Sequence, residues 1–135
     1  MILVIDASVA IAWIASDVRS EYADAALAAC GTDRVLVPML WYWEIANTLL
    51  VLERKGRVAD ASVAYASVLR NLPIDAVHDV IDARRLEELT YARRHGLTSY
   101  DAAYLALAKS TGNALATLDR KLALAAEAES VYFRE

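Results

Sequence analysis

Short apolar runs without alternation recur along the chain, separated by longer stretches in which apolar residues return at helical spacing. A continuous apolar run of this length is typical of a strand buried on both faces, as in the middle of a parallel sheet. Such runs predict strands at 2–5, 34–38, 114–118 and 131–133, and the short segment 74–77, which contains Asp75, is predicted as a further strand. The first run, from Ile2 to Ile5, ends directly at Asp6.

The intervening stretches predict helices at 8–15, 17–30, 39–55, 58–72, 82–95, 98–110 and 120–129, and a glycine or proline follows each of the five from 17–30 to 98–110. Ser8 is placed to cap the first of these helices. Strands that alternate with helices predict a parallel sheet with helices on both faces. Because no connection is long enough to separate two domains, we expect a single α/β domain over 1–135, a three-layer α/β/α sandwich.

Composition narrows the class of protein. With 58% hydrophobic and 24% charged residues among 135, the chain is not a disordered one. The high apolar share predicts either a core dense in alanine and leucine or a surface covered by another chain. No apolar stretch approaches the ~20 residues of a membrane span, and no secretory signal is evident, so we expect a cytoplasmic protein without membrane contact.

Charge and cysteine content exclude further kinds of site. The net charge of −4 argues against nucleic-acid binding through a broad basic face, although a bound cation reverses the sign of an acidic site locally. Cys30 is the only cysteine, which excludes an intrachain disulfide and a thiolate zinc cluster.

Four acidic residues stand at the ends of predicted elements. Asp6 and Asp119 follow strands, Glu44 lies near the start of the helix after the second strand, and Asp101 opens the helix that leads into the fourth strand. Taken singly, the aspartates are also explained as helix caps, Asp101 within a Thr98-x-x-Asp101 arrangement, and Glu44 as an exposed residue. Taken together, they converge on one edge of the sheet if the first and fourth strands are neighbours.

Such a group of carboxylates repels itself unless some of its members are protonated or a cation neutralises them. Ligands that are all oxygen, without histidine or cysteine, favour Mg²⁺ or Mn²⁺ over zinc. A metal-associated water can then attack phosphorus while the metal offsets the charge on the phosphate. The sequence therefore predicts a metal-dependent reaction on a phosphate ester.

Four segments of the chain resemble the motifs of PIN domains, and in particular those of the VapC-type toxins of bacterial and archaeal toxin–antitoxin pairs. These segments are Val4–Ser8, Glu44–Leu49, Thr98–Ala108 and Ala116–Asp119. The resemblance implies a sheet of order 3-2-1-4-5 and an Mg²⁺- or Mn²⁺-dependent endoribonuclease. It also implies homodimers and a small VapB-type antitoxin that blocks the site.

The resemblance further implies a role for particular residues. Metal-site roles fall to the four acids, Asp6, Glu44, Asp101 and Asp119. The hydroxyls of Ser8 and Thr117 would lie near the metal or its waters, and Asn47 would orient Glu44.

Other residues remain as candidates for substrate or partner contact. Arg120 and Lys121 follow Asp119 directly and are our predicted contacts to RNA phosphates. His78 and His95 lie near no motif acid in sequence and are predicted not to be catalytic. The aromatic residues of the N-terminal helices serve either the core or a groove for an antitoxin helix: Trp13, Tyr22, Trp41, Tyr42, Trp43 and Tyr65.

Two other functions remain open from the residues. One is an aspartyl-phosphate phosphotransfer or phosphatase domain, in which an aspartate after the first strand is phosphorylated. Ser8 stands where an Asp-x-Asp pair would need its second acid, which argues against that function. The other is a non-catalytic module that keeps the fold and only binds a partner, against which the retention of all four acids argues.

Overall fold

The computed structural model describes residues 1–15, 17, 19–77 and 83–135. Within these ranges four strands alternate with seven helices. The strands are β1 Leu3–Ile5, β2 Val35–Pro38, β3 Ile74–Val77 and β4 Ala114–Ala116. The helices are α1 Ala7–Ile14, α2 Glu21–Cys30, α3 Leu40–Arg54, α4 Ala61–Asn71, α5 Ala83–His95, α6 Ser99–Thr111 and α7 Arg120–Ala128.

The strands form one parallel sheet in the order β3-β2-β1-β4, which confirms the predicted α/β class and the predicted neighbours of β1. The central strand β1 is buried along its whole length, as its unbroken apolar sequence predicted. Ile5 at its end pairs with Ala116 of β4. The residues that follow these two strands therefore emerge side by side at the carboxyl edge of the sheet.

The predicted fifth strand at 131–133 is wrong as a strand. Only Tyr132 bridges to Leu115 of β4, flanked by hydrogen bonds of 2.7 Å and 2.9 Å that involve Val131 and Phe133. The chain turns at Ser130, whose φ is +60°, so that a single residue lies alongside the sheet. The side chain of Tyr132 then stacks on Tyr22, with ring centroids 5.5 Å apart.

Several predicted helix ends move by one to four residues for reasons of capping. Asp6, not Ser8, caps α1, because the Asp6 side chain accepts the Val9 N–H. Helix α2 begins at Glu21 and not at residue 17, because Ser20 caps it. The predicted start of the fifth helix at Asp82 lies outside the described residues.

Helix α6 is the most deeply buried helix of the described fold. Seven consecutive residues, from Ala102 to Ala108, are buried, and the helix packs against β1, β2, β4, α5 and α7. Its alanines allow this close approach on several sides, which accounts for part of the high apolar content. None of the described helices is both long and apolar enough to cross a membrane. The burial of α6 fixes its N-terminus, and with it Asp101.

Candidate active site

Asp6 lies at the carboxyl end of β1 and is almost fully buried, with 6% of its surface exposed. Both of its carboxylate oxygens accept hydrogen bonds from side-chain hydroxyls. Ser8 Oγ donates to Oδ1 over 2.6 Å, and Thr117 Oγ1 donates to Oδ2 over 2.5 Å. The Val9 N–H adds a third bond, of 3.2 Å, to Oδ1. The Asp6 carboxylate is therefore held in one orientation.

The two hydroxyls also join β4 and α7 to this carboxylate. Ser8 Oγ accepts the Leu118 N–H over 2.9 Å, and Thr117 Oγ1 accepts the Asp119 N–H over 3.0 Å. Each hydroxyl thus accepts from the β4–α7 connection and donates to Asp6. The hydrogen bonds of these two hydroxyls align the loop that carries Asp119 with the end of β1.

All three aspartates also act at helix N-termini, as the capping interpretation predicted. Asp6 caps α1, and Asp119 caps α7 by accepting the Leu122 N–H over 2.8 Å. Asp101 lies in the first turn of α6, where its own N–H donates to Thr98 Oγ1 over 3.1 Å. Capping explains how each backbone is held, and at Asp119 it engages only Oδ1.

Glu44 is held by a residue that the sequence interpretation did not identify. The Tyr104 hydroxyl, on α6, donates a short hydrogen bond to Glu44 Oε1 on α3. Asn47, expected to orient Glu44, is exposed, and no hydrogen bond joins the two side chains among the described residues. The donor that the structure gives Glu44 thus comes from the buried face of α6, and the role of Asn47 stays a prediction.

One sequence signal could have revealed Tyr104. It is the only polar side chain in the buried stretch from Ala102 to Ala108, and a buried tyrosine hydroxyl needs a hydrogen-bond partner. Glu44 is an acidic residue in the apolar helix α3, and a buried carboxylate needs a hydrogen-bond donor.

The pKa values show that the four acids act on one another. Burial is the main cause that raises the pKa of Asp6, and the charge of Asp119 raises it further. Burial also raises the pKa of Glu44, with added repulsion from Asp101 and Asp6. The pKa of Asp101 is raised by burial and then by Asp119. We call these four residues, Asp6, Glu44, Asp101 and Asp119, the acid cluster.

The donor atoms of the acid cluster suit a divalent cation that prefers oxygen, although they are not gathered around one point. Within the described ranges, no three or more His, Cys, Asp or Glu side chains are arranged so that they could hold a metal ion. The mutual repulsion of the carboxylates is nevertheless the condition that a cation relieves.

Lys121 is the basic residue that the fold brings to the acid cluster. Its charge lowers the pKa of Asp101 against the larger effects of burial and Asp119. Its Nζ would lie 3.7 Å from a Cβ atom at Gly96, so it covers the connection between α5 and α6. Arg120 is exposed at the start of α7. The role of both residues in RNA contact stays a prediction.

The remaining candidates lie outside this site. His95 Nε2 is 2.8 Å from Glu129 Oε1, a contact that accounts for it without catalysis. His78 lies outside the described residues. The aromatic residues differ in burial: Trp41 is fully buried, whereas Trp43 is 69% exposed. Trp41 therefore serves the core, whereas the groove for an antitoxin helix stays a prediction for the exposed side chains.

Comparison with known proteins agrees with this geometry. A family model of the PIN domain matches residues 3–128. The chain belongs to the PIN domain family. Ribonuclease VapC3 of Pyrobaculum aerophilum is 36% identical over 125 residues, which cover 91% of this chain and 93% of that protein. The resemblance to VapC-type PIN domains that the motifs indicated is thereby confirmed.

Solved structures of similar fold support the architecture. The crystal structure of PAE2754 from Pyrobaculum aerophilum has a TM-score of 0.67 and 28% identity, and covers 91% of this PIN domain and 83% of that chain. Mycobacterium tuberculosis VapC20, described as a toxin that cleaves the sarcin–ricin loop, has a TM-score of 0.64 and 22% identity, with 91% and 94% covered. The second likeness bears on the fold alone.

Proposed function

We propose that this PIN domain is a metal-dependent endoribonuclease and the toxin of a toxin–antitoxin pair. The observation that carries the proposal is the acid cluster. Its buried Asp6 accepts hydrogen bonds from two hydroxyls, the charge of Asp119 raises the pKa of Asp6, and the charge of Asp6 raises the pKa of Glu44. A fold does not by itself give an activity. Here the similarity to a protein named a ribonuclease and the chemistry of the site point the same way.

The acid cluster would hold Mg²⁺ or Mn²⁺. When bound, such a cation supplies an activated water and offsets charge on the transferring phosphoryl group. Ser8 and Thr117 keep Asp6 in a fixed orientation, and Tyr104 does the same for Glu44. Lys121, beside Asp101, offers a positive charge to an RNA phosphate, and we assign Arg120 the same role on the neighbouring residue.

The partners of this protein follow from the same proposal. An antitoxin helix is expected on the surface between α3 and α4, where two adjacent cavities of about 360 and 320 Å³ share Ala46 and Tyr65. The exposed Trp43 lies in the first of them. We also expect a homodimer that acts in the cytoplasm, where its RNA substrate is found. Membership of the PIN family leaves the aspartyl-phosphate alternative without support.

The test is cleavage by purified protein of structured and unstructured RNA in Mg²⁺, Mn²⁺ or EDTA. We expect cleavage with either metal, none in EDTA, and none from Asp6→Asn or Asp101→Asn. Asp24→Asn is the matched control, because Asp24 is an exposed aspartate in the first turn of α2. Cleavage that survives EDTA or both site variants contradicts the proposal. Binding of an antitoxin without cleavage in any metal would support the non-catalytic module.

A further inference from the structure

The contact between Tyr104 and Glu44 joins two helices that are distant in sequence. Tyr104 is 1% exposed and lies near the middle of the buried helix α6. Its hydroxyl donates to Glu44 Oε1, and the two residues are 60 positions apart in the chain. Because α6 is enclosed by the sheet and two helices, the phenol is a rigid donor at a fixed place.

A neutral donor suits the orientation of a carboxylate that must also keep its charge. An arginine or lysine at this place would neutralise Glu44 and compete with a cation, whereas a tyrosine hydroxyl does neither. The bond occupies one lone pair of Oε1 and leaves the other oxygen, Oε2, without a hydrogen bond from the described residues. Glu44 is therefore oriented while part of its coordinating capacity stays available.

The surroundings of the Tyr104 hydroxyl place it within the acid cluster. Burial and the bond to Glu44 raise the pKa of Tyr104, and the charges of Glu44, Asp6 and Asp101 raise it further. Three of the four acids thus act on this one hydroxyl, which keeps its proton and remains a donor.

We propose that Tyr104 is a positioning residue, which orients Glu44 through Oε1 so that Oε2 stays available to a divalent cation. The inference rests on the proposed function and assigns a determinant of metal affinity that the sequence motifs did not. When a residue that hydrogen-bonds to a metal ligand is removed, metal affinity typically falls 10–100-fold.

The test compares Tyr104→Phe with Tyr100→Phe. Both substitutions remove one hydroxyl from α6, but Tyr100 is 66% exposed and bonds to no acid of the cluster. Mn²⁺ affinity is measured without RNA, from the electron paramagnetic resonance signal of free Mn²⁺. We expect the Kd of Tyr104→Phe to rise about 10-fold and that of Tyr100→Phe to stay unchanged. Higher Mn²⁺ should restore cleavage by Tyr104→Phe.

A double variant separates positioning from a general effect on the fold. If Tyr104 acts through Glu44, adding Tyr104→Phe to Glu44→Gln should weaken Mn²⁺ binding no further than Glu44→Gln alone. The comparison of the double variant with Glu44→Gln stays informative if Tyr104→Phe alone does not fold. In the double variant the charge of Glu44 is absent, so no buried carboxylate has lost its hydrogen-bond donor. Additive losses would overturn the inference.

Two results distinguish this inference from the proposed function. Unchanged or tighter Mn²⁺ binding by folded Tyr104→Phe, with a wild type that binds Mn²⁺ and cuts RNA, overturns the inference alone. A wild type that neither binds Mn²⁺ nor cuts RNA overturns both.

Discussion

Two groups of charges in this protein are built in opposite ways. In the acid cluster four carboxylates act on one another, and Lys121 is the nearby cation that acts on Asp101. At the end of α7, the single carboxylate of Glu129 meets three basic side chains, which we call the Glu129 cluster. Arg94 lies 2.5 Å and His95 2.8 Å from Oε1, and Lys109 lies 3.6 Å from Oε2.

The pKa shifts show what the difference means. The bond from His95, followed by the effect of Arg94, lowers the pKa of Glu129. Burial and like charges raise the pKa of Asp6, Glu44 and Asp101. The Glu129 cluster therefore satisfies its charge within the chain and stabilises the contact of α5, α6 and α7. The negative charges of the acid cluster are not balanced by an equal number of basic side chains nearby, and raised pKa values of this kind are typical of functional sites.

The largest expected effect comes from the same substitution in each cluster. Glu44→Gln should lower the rate of RNA cleavage by about 100-fold or more, because a bound metal contributes several kcal/mol to transition-state stabilisation. Glu129→Gln should cut RNA at the wild-type rate below its unfolding temperature. Rates are measured under single-turnover conditions at saturating Mn²⁺. A comparable loss in both variants would break the distinction between the clusters.

Metal binding should stabilise the fold through the acid cluster alone. At a Mn²⁺ concentration of about 100 times Kd, the free energy of unfolding should rise by roughly 2.7 kcal/mol. The rise should be the same in Glu129→Gln and smaller in Glu44→Gln, as measured by thermal unfolding with and without EDTA. An equal rise in Glu44→Gln would exclude Glu44 from the metal site.

The sequence predicted best what local rules and strand order control. Short runs of mainly apolar residues located all four strands of the described sheet. Because β1 and β4 are parallel neighbours, the acids that follow them lie at the same edge of the sheet. It also anticipated that Asp6 and Asp119 cap helices, since capping depends on residues two or three positions away.

The sequence did not identify contacts that no local pattern encodes. Tyr104, which donates to Glu44, lies 60 residues away from it in the chain. Ser8 was assigned as a cap, but its hydroxyl is engaged by Asp6 and by the N–H of Leu118 across the sheet. The short fifth strand reduces to one bridge because the turn at Ser130 sets how the chain returns to β4.

Removal of the charge of Glu129 should destabilise the fold by about 1 kcal/mol at pH 7, since a network exceeds a single exposed pair. Because the pKa of Glu129 is lowered from its ordinary 4.5, this stabilisation is present above pH 4.5 and is lost as pH falls through the lowered value. In urea unfolding, wild type and Glu129→Gln should therefore differ at pH 7, and the difference should be smaller at pH 3. Glu127→Gln, whose partner Arg134 is 3.6 Å away, is the control with little expected change.

The smallest effect has the opposite sign and tests the comparison most sharply. Without metal, Asp101→Asn should stabilise the fold at pH 7, by roughly 0.5 kcal/mol after allowance for solvent screening. The pKa of Asp101 is raised above its ordinary 3.8, so its destabilising charge is absent below pH 3.8 and develops as pH rises through the raised value. The gain should accordingly vanish in urea unfolding at pH 3.

Asp24→Asn makes the same change in the first turn of α2, beside Arg19 at 3.7 Å and outside the acid cluster. There the loss of a negative charge near a helix N-terminus should slightly destabilise the fold. Opposite signs for one substitution at two helix starts would show that the neighbouring acids, rather than the helix, determine the effect. If both substitutions changed the free energy of unfolding in the same direction, repulsion among the acids of the cluster would be negligible. The argument that a cation binds there would then lose its physical basis.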